Sequence, residues 1–90
     1  MVSFTLGRIV ATPGALKAMQ RSGDKPASFL LRHARGDWGE LDNFDKGQND
    51  IALREGSRIL SSYKTRKGET IWIITEADRS STCLLLPEEY

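Results

Sequence analysis

Phe4-Thr5-Leu6-Gly7-Arg8-Ile9-Val10 alternates loosely between apolar and polar positions and is rich in β-formers, which predicts a first strand. Thr12-Pro13 follows as a helix N-cap with proline at the first helical position, where its missing N–H costs nothing. Ala15, Leu16, Met19 and Gln20 continue the helical spacing, and Ser22-Gly23 ends it with a residue free to take positive φ. Asp24 or Lys25 before Pro26 starts a second helix through Ala27 to Arg35, stopped by Gly36. Gly36-Asp37-Trp38-Gly39 reads as a loop. Asp42-Asn43-Phe44-Asp45, an N-cap with an acid three residues on, opens a third helix in which Phe44, Ile51 and Leu53 need a core. Gly47 lies inside that stretch and lowers helix stability by up to ~1 kcal/mol, so this helix is expected to be short or broken before Gly56.

The last third changes period. Ser57–Tyr63 and Glu69–Thr75 are strand-like runs separated by Lys64-Thr65-Arg66-Lys67-Gly68, a polar hairpin turn. The unbroken Ile71-Trp72-Ile73-Ile74 suggests a central strand covered on both faces. Ala77–Ser81 reads as a second turn, and Thr82–Leu86 as a third strand ended by Pro87. The sum is one α+β domain over residues 1–90: an N-terminal strand, two to three short helices, then a three-stranded antiparallel meander with the helices on one face.

Length and composition narrow the class without naming a function. With 90 residues, 39% hydrophobic and 28% charged, the chain holds one small core and buries about 60–65% of its unfolded surface. No apolar run approaches the ~18 residues of a membrane span, and Met1–Val10 does not have the form of a secretory leader. A single cysteine, Cys83, cannot form an internal disulfide; a reducing, cytoplasmic setting and a small apolar packing role are expected. The net charge of +1 hides blocks: residues 1–36, 37–50, 51–68 and 69–90 carry +5, −4, +4 and −4. Such blocks either neutralise one another across the fold or create opposed fields that orient a partner.

Candidate chemistry is sparse. His33 with Asp37 and Glu40 would be an acid–base constellation if the three converged, but a histidine at a helix end is more often a cap or packing residue. Asp45–Asp50 has no glycine at the position a calcium loop requires and no closing glutamate, and one His with one distant Cys makes no zinc set, so neither metal nor cofactor is expected. In Ala77–Thr82 the hydroxyls have no base to activate them and read as a turn. Arg35-Gly36-Asp37 spells a cell-adhesion tripeptide, read as chance in a chain without a leader. Trp38 between glycines is either a lid on the core or an exposed anchor ringed by Asp37, Glu40, Asp42 and Asp45. A basic set, Arg58, Lys64, Arg66 and Lys67 with Tyr63 to stack on a base, would suit nucleic acid.

Arg32-His33, Gly36-Asp37-Trp38-Gly39-Glu40-Leu41-Asp42, Ile71–Thr82 and Leu85–Tyr90 resemble a family of small bacterial proteins carried on plasmids, integrative elements and prophages. The resemblance covers most of the chain and implies a setting rather than a chemistry, since the family carries no established activity. In that setting the expectation is a non-enzymatic interaction protein that inhibits a host defence complex, of CRISPR or restriction type, by direct binding. Its acidic segment, with Trp38 as anchor, would dock on a basic nucleic-acid-binding surface of that complex. The alternative is a small nucleic-acid-binding accessory factor using the basic hairpin. Membrane contact is not expected, and an exposed edge strand would support a homodimer.

Overall fold

The computed structural model describes residues 4–90; residues 1–3, which open the segment expected to carry no leader, lie outside the described residues. The order is β1 (Arg8–Ala11), α1 (Pro13–Ser22), α2 (Pro26–Ala34), α3 (Asn43–Glu55), β2 (Ile59–Lys64), β3 (Thr70–Thr75), β4 (Ser81–Leu85) and a 3₁₀ turn (Pro87–Glu89). The fold is α+β, as the sequence predicts, but the sheet is mixed. Strands β2, β3 and β4 form the antiparallel meander, and β1 joins it parallel to β4, giving the order β1-β4-β3-β2. The first strand is also shorter than predicted. Gly7 at φ 67 breaks the extended path, so only four residues pair.

The helix boundaries follow local chemistry. Thr12 caps α1 by accepting from the Ala15 N–H at 3.1 Å, and Gly23 closes it in the left-handed region. Lys25 precedes α2 without a side-chain cap, because Asp24 is engaged elsewhere: it accepts from Ser22 Oγ and from the Arg66 N–H. The third helix is longer than predicted, 13 residues without a break. Asp42 accepts from the Asp45 N–H at 2.8 Å and Gly56 ends the helix in the left-handed region, so two good caps offset Gly47.

The helices pack on one face of the sheet. Register places Ile59, Ser61, Tyr63, Ile71, Ile73, Thr75, Thr82 and Leu84 on that face, and all are buried. Two apolar clusters result: Ala15, Ala18, Met19 and Phe29 against Tyr63, Ile71, Ile73 and Leu84, and Trp38 with Ala52 against Ile59. The far face of β3 is covered differently from the expectation. Ile74 is buried there among strand neighbours, while Trp72 stays half-exposed under an edge-on Tyr90 at 5.9 Å. Cys83, on this same face, is half-buried.

The two sheet edges are treated unequally. Along β2, Asn49 on α3 donates to the Leu60 carbonyl at 2.6 Å and accepts from the Leu60 N–H at 3.1 Å, as a neighbouring strand would. One step on, the Ser62 N–H donates to the Trp38 carbonyl and the Glu40 N–H to the Ser62 carbonyl. Gly39 allows this close approach, because at φ 76 a Cβ would stand 2.0 Å from the Ser62 oxygen. Asn49→Leu is expected to strand both Leu60 groups and lower stability by about 2–4 kcal/mol. Urea titration checks it: the midpoint falls and the slope stays constant.

Candidate functional site

The residues proposed from sequence as an acid–base group separate in the fold. His33 lies on the last turn of α2 and is fully buried where the two apolar clusters meet, edge-on to Phe4 at 5.2 Å and Trp38 at 5.9 Å. Its ring nitrogens are taken by hydroxyls: Nδ1 lies 2.5 Å from Ser61 Oγ and Nε2 lies 2.9 Å from Thr75 Oγ1. The protons can be placed. Thr82 Oγ1 donates to the Leu6 carbonyl at 2.7 Å, so it can only accept from Thr75 Oγ1, also at 2.7 Å. Thr75 then accepts from Nε2–H, which leaves Nδ1 to accept from Ser61. The ring is neutral with one defined tautomer, and burial pushes its pKa down to about 4.

Asp37 points the other way. Its carboxylate takes two hydrogen bonds from Arg32, at 2.7 and 3.3 Å, and one from the Gly39 N–H, which holds it below the usual carboxylate range. Glu40 is exposed on the loop. His33, Asp37 and Glu40 therefore do not share a cleft. Among the described residues no group of three or more His, Cys, Asp or Glu is placed to hold a metal ion, and no helix is long and apolar enough to cross a membrane.

The expected basic site is also dismantled in part. Tyr63 is fully buried, stacked on Phe29 at 5.4 Å, with its hydroxyl donating to the Asp37 carbonyl at 2.6 Å. Burial pushes its phenol pKa up to about 12, and it cannot reach a base. The reason is strand alternation, which puts Tyr63 on the same face as Ile59 and Ser61. Arg66 is held to Asp24, and Arg58 lies over the Tyr90 ring at 5.3 Å. Arg58 and Lys64 bracket opposite ends of β2, about 20 Å apart. Lys64 and Lys67 remain exposed at the hairpin.

Of the acidic set, Asp37, Glu40, Asp42 and Asp45 are exposed, but Trp38 is not. Its ring is 5% exposed against Ala52 and Ile59, and its Nε1–H donates to Asp50 at 3.3 Å. The expected anchor is thus a core lid. The exposed apolar group beside these acids is one the sequence reading assigned to the core: Phe44, 62% exposed on the first turn of α3. Phe44, Gln48 and Ile51 stand at i, i+4 and i+7, an outward stripe on a different face from Asn49 and Ala52, which meet the sheet.

Arg79 was missed as a structural residue. It sits at φ 61 after Asp78, whose carboxylate accepts from the Ser80 N–H in the expected turn. Its guanidinium donates to the carbonyls of Ser57, Glu76, Ala77 and Ala52, closing the end of α3 onto the β3–β4 turn. The only signal was its position as the one basic residue in an acidic block. The chain matches no protein-family model, no curated protein and no solved structure.

Proposed function

We propose that this is a non-enzymatic interaction protein whose binding surface is the acidic start of α3, with Phe44 as its anchor. The observation that carries the reading is Phe44, 62% exposed among Glu40, Asp42 and Asp45 in a domain that buries its other two phenylalanines more deeply. An exposed aromatic inside a ring of carboxylates suits a partner with an apolar pocket rimmed by Lys and Arg. Basic surfaces of that kind are built to hold nucleic acid, so the carboxylates would compete with phosphate there. Together with the resemblance of the tryptophan loop and the β3–β4 segment to mobile-element proteins, this makes a host nucleic-acid-targeting defence complex the proposed partner, inhibited by direct occlusion in the cytoplasm. The basic hairpin is the second reading, supported by the exposed Lys64 and Lys67.

The test is affinity capture of the tagged protein from bacterial lysate, with and without nuclease, followed by titration of the captured complex. A defined protein complex is expected to survive nuclease. Phe44→Ala is expected to weaken its binding about 30-fold or more, as loss of a central aromatic does. Asp45→Lys, which leaves the Asp42 cap in place, is expected to weaken it as well, with little change in folding. Capture that vanishes with nuclease, and survives both α3 variants, transfers the assignment to the hairpin.

A further inference from the structure

We infer that the open β1 edge is a homodimer interface, pairing with β1 of a second copy to make a continuous eight-stranded sheet. The N–H groups of Arg8 in β1 and of Thr12 just after it donate to the carbonyls of Ser80, just before β4, and of Leu84 within it. By the two-residue period Val10 also faces β4, so the N–H and C=O groups of Ile9 and Ala11 point outward. β1 is the last strand of the sheet, whereas the opposite edge is occupied by Asn49 and the Trp38–Glu40 loop. Ile9 is 50% exposed and Val10 40%, so this edge is apolar as well as unpaired.

The chain is its own complement there. An antiparallel twofold pairing with Val10 opposite Val10 of the partner subunit matches each Ile9 with an Ala11, and every outward N–H meets an outward C=O. A shift of one pair toward the N-terminus would need Gly7, which at φ 67 is not extended. A shift toward the C-terminus would need Pro13, which has no N–H. Only the Val10-centred register satisfies all four groups of each strand.

Charge then fits the same register. Arg8 comes to lie across from Thr12 of the other copy on the sheet face that Val10 shares. Thr12 Oγ1 donates to Glu89 Oε1 at 2.5 Å, and that carboxylate also accepts from the Leu86 N–H at 2.8 Å. Glu89 is thereby fixed and ionised beside Thr12, its pKa held below the usual range first by the Thr12 hydroxyl. Each Arg8, which forms no ion pair among the described residues, meets the Glu89 of its partner, twice about the axis. Because α3 packs on β2, the pairing leaves both Phe44 surfaces at the far ends of the joined sheet.

Sedimentation equilibrium over a hundredfold concentration range tests this, with hydrogen exchange at the β1 amides. A monomer–dimer equilibrium is expected, in which Ile9 and Ala11 gain protection with concentration while Arg8 and Val10 are protected throughout. Arg8→Glu is expected to weaken the dimer at least tenfold, and Arg8→Lys, which keeps the charge and leaves the Glu89 hydrogen bonds in place, to retain it. Val10→Lys, which opposes two ammonium groups on the axis, is expected to abolish it and needs no change at Glu89. A monomer at every concentration overturns the inference. So does a dimer that leaves the Ile9 and Ala11 amides unprotected, or one indifferent to both Val10→Lys and Arg8→Glu.

Discussion

Acidification from about pH 7 to about pH 4 is expected to remove on the order of 3 kcal/mol of folding stability through His33 alone. In the unfolded chain this imidazole titrates at its ordinary value of 6.5; in the fold, burial lowers it to about 4. Below pH 6.5 the unfolded state therefore binds a proton that the folded state refuses. The contribution is complete above 6.5 and is lost progressively as the pH falls toward 4. The carboxylates held low by hydrogen bonds, Asp24, Asp37, Asp78 and Glu89, lose theirs only further down, below their ordinary values near 4, so the windows separate. For a domain of this size the loss corresponds to a Tm lower by more than about 10 °C. His33→Gln, which keeps a donor and an acceptor without titrating, is expected to be less stable at pH 7 but flat across the window. A wild-type Tm constant from pH 7 to 4.5, or a slope that persists in His33→Gln, would rule out this account.

Much of the fold was legible because its signals are local. Thr12-Pro13, Asp42 three residues before Asp45, and Gly23 and Gly56 each fix a helix end through atoms within one turn. The Ile71–Ile74 run marks a central strand because both its neighbours come from hairpins with short turns. Pairings between distant segments were not legible. Nothing near β1 encodes a parallel partner on β4, and the hydroxyls that hold His33 lie 28 and 42 residues along the chain. Tyr63 is a different case. Its period with Ile59 and Ser61 predicts burial, yet its neighbours Lys64 and Arg66 drew the functional reading to the hairpin. On α3, apolar residues fall on two faces, Phe44 with Ile51 outside and Ala52 with Leu53 inside, and a helical projection alone does not choose between them. What chooses is Asn49, which must reach the edge of β2 and so turns Phe44 to solvent.

That rotation of α3 sets opposite expectations for the two aromatic residues of the acidic segment. Trp38→Ala is expected to lower stability by about 3–5 kcal/mol, a large share of the roughly 5–13 kcal/mol that holds a domain of this length. The indole is 5% exposed, fills the cluster of Ala52 and Ile59, and stands edge-on to His33. Removing it opens a cavity beside a buried polar network and frees the Asp50 carboxylate that fixes the loop on α3. The loop in turn carries the backbone pairing at Ser62, so the β2 edge loosens with it. Phe44→Ala removes a side chain that is mostly in water already and is expected to stay within about 0.5 kcal/mol of wild type. Parallel urea titrations of the two variants separate the roles. If the Trp38 variant unfolds at the wild-type midpoint, the lid assignment is wrong and the indole returns as a binding anchor. If Phe44→Ala is the destabilised one, the aromatic ring serves folding, and the α3 surface loses its anchor. The expected pair of results, a weakened fold from Trp38 and an intact one from Phe44, makes Phe44 the variant in which loss of a partner reads as loss of contact.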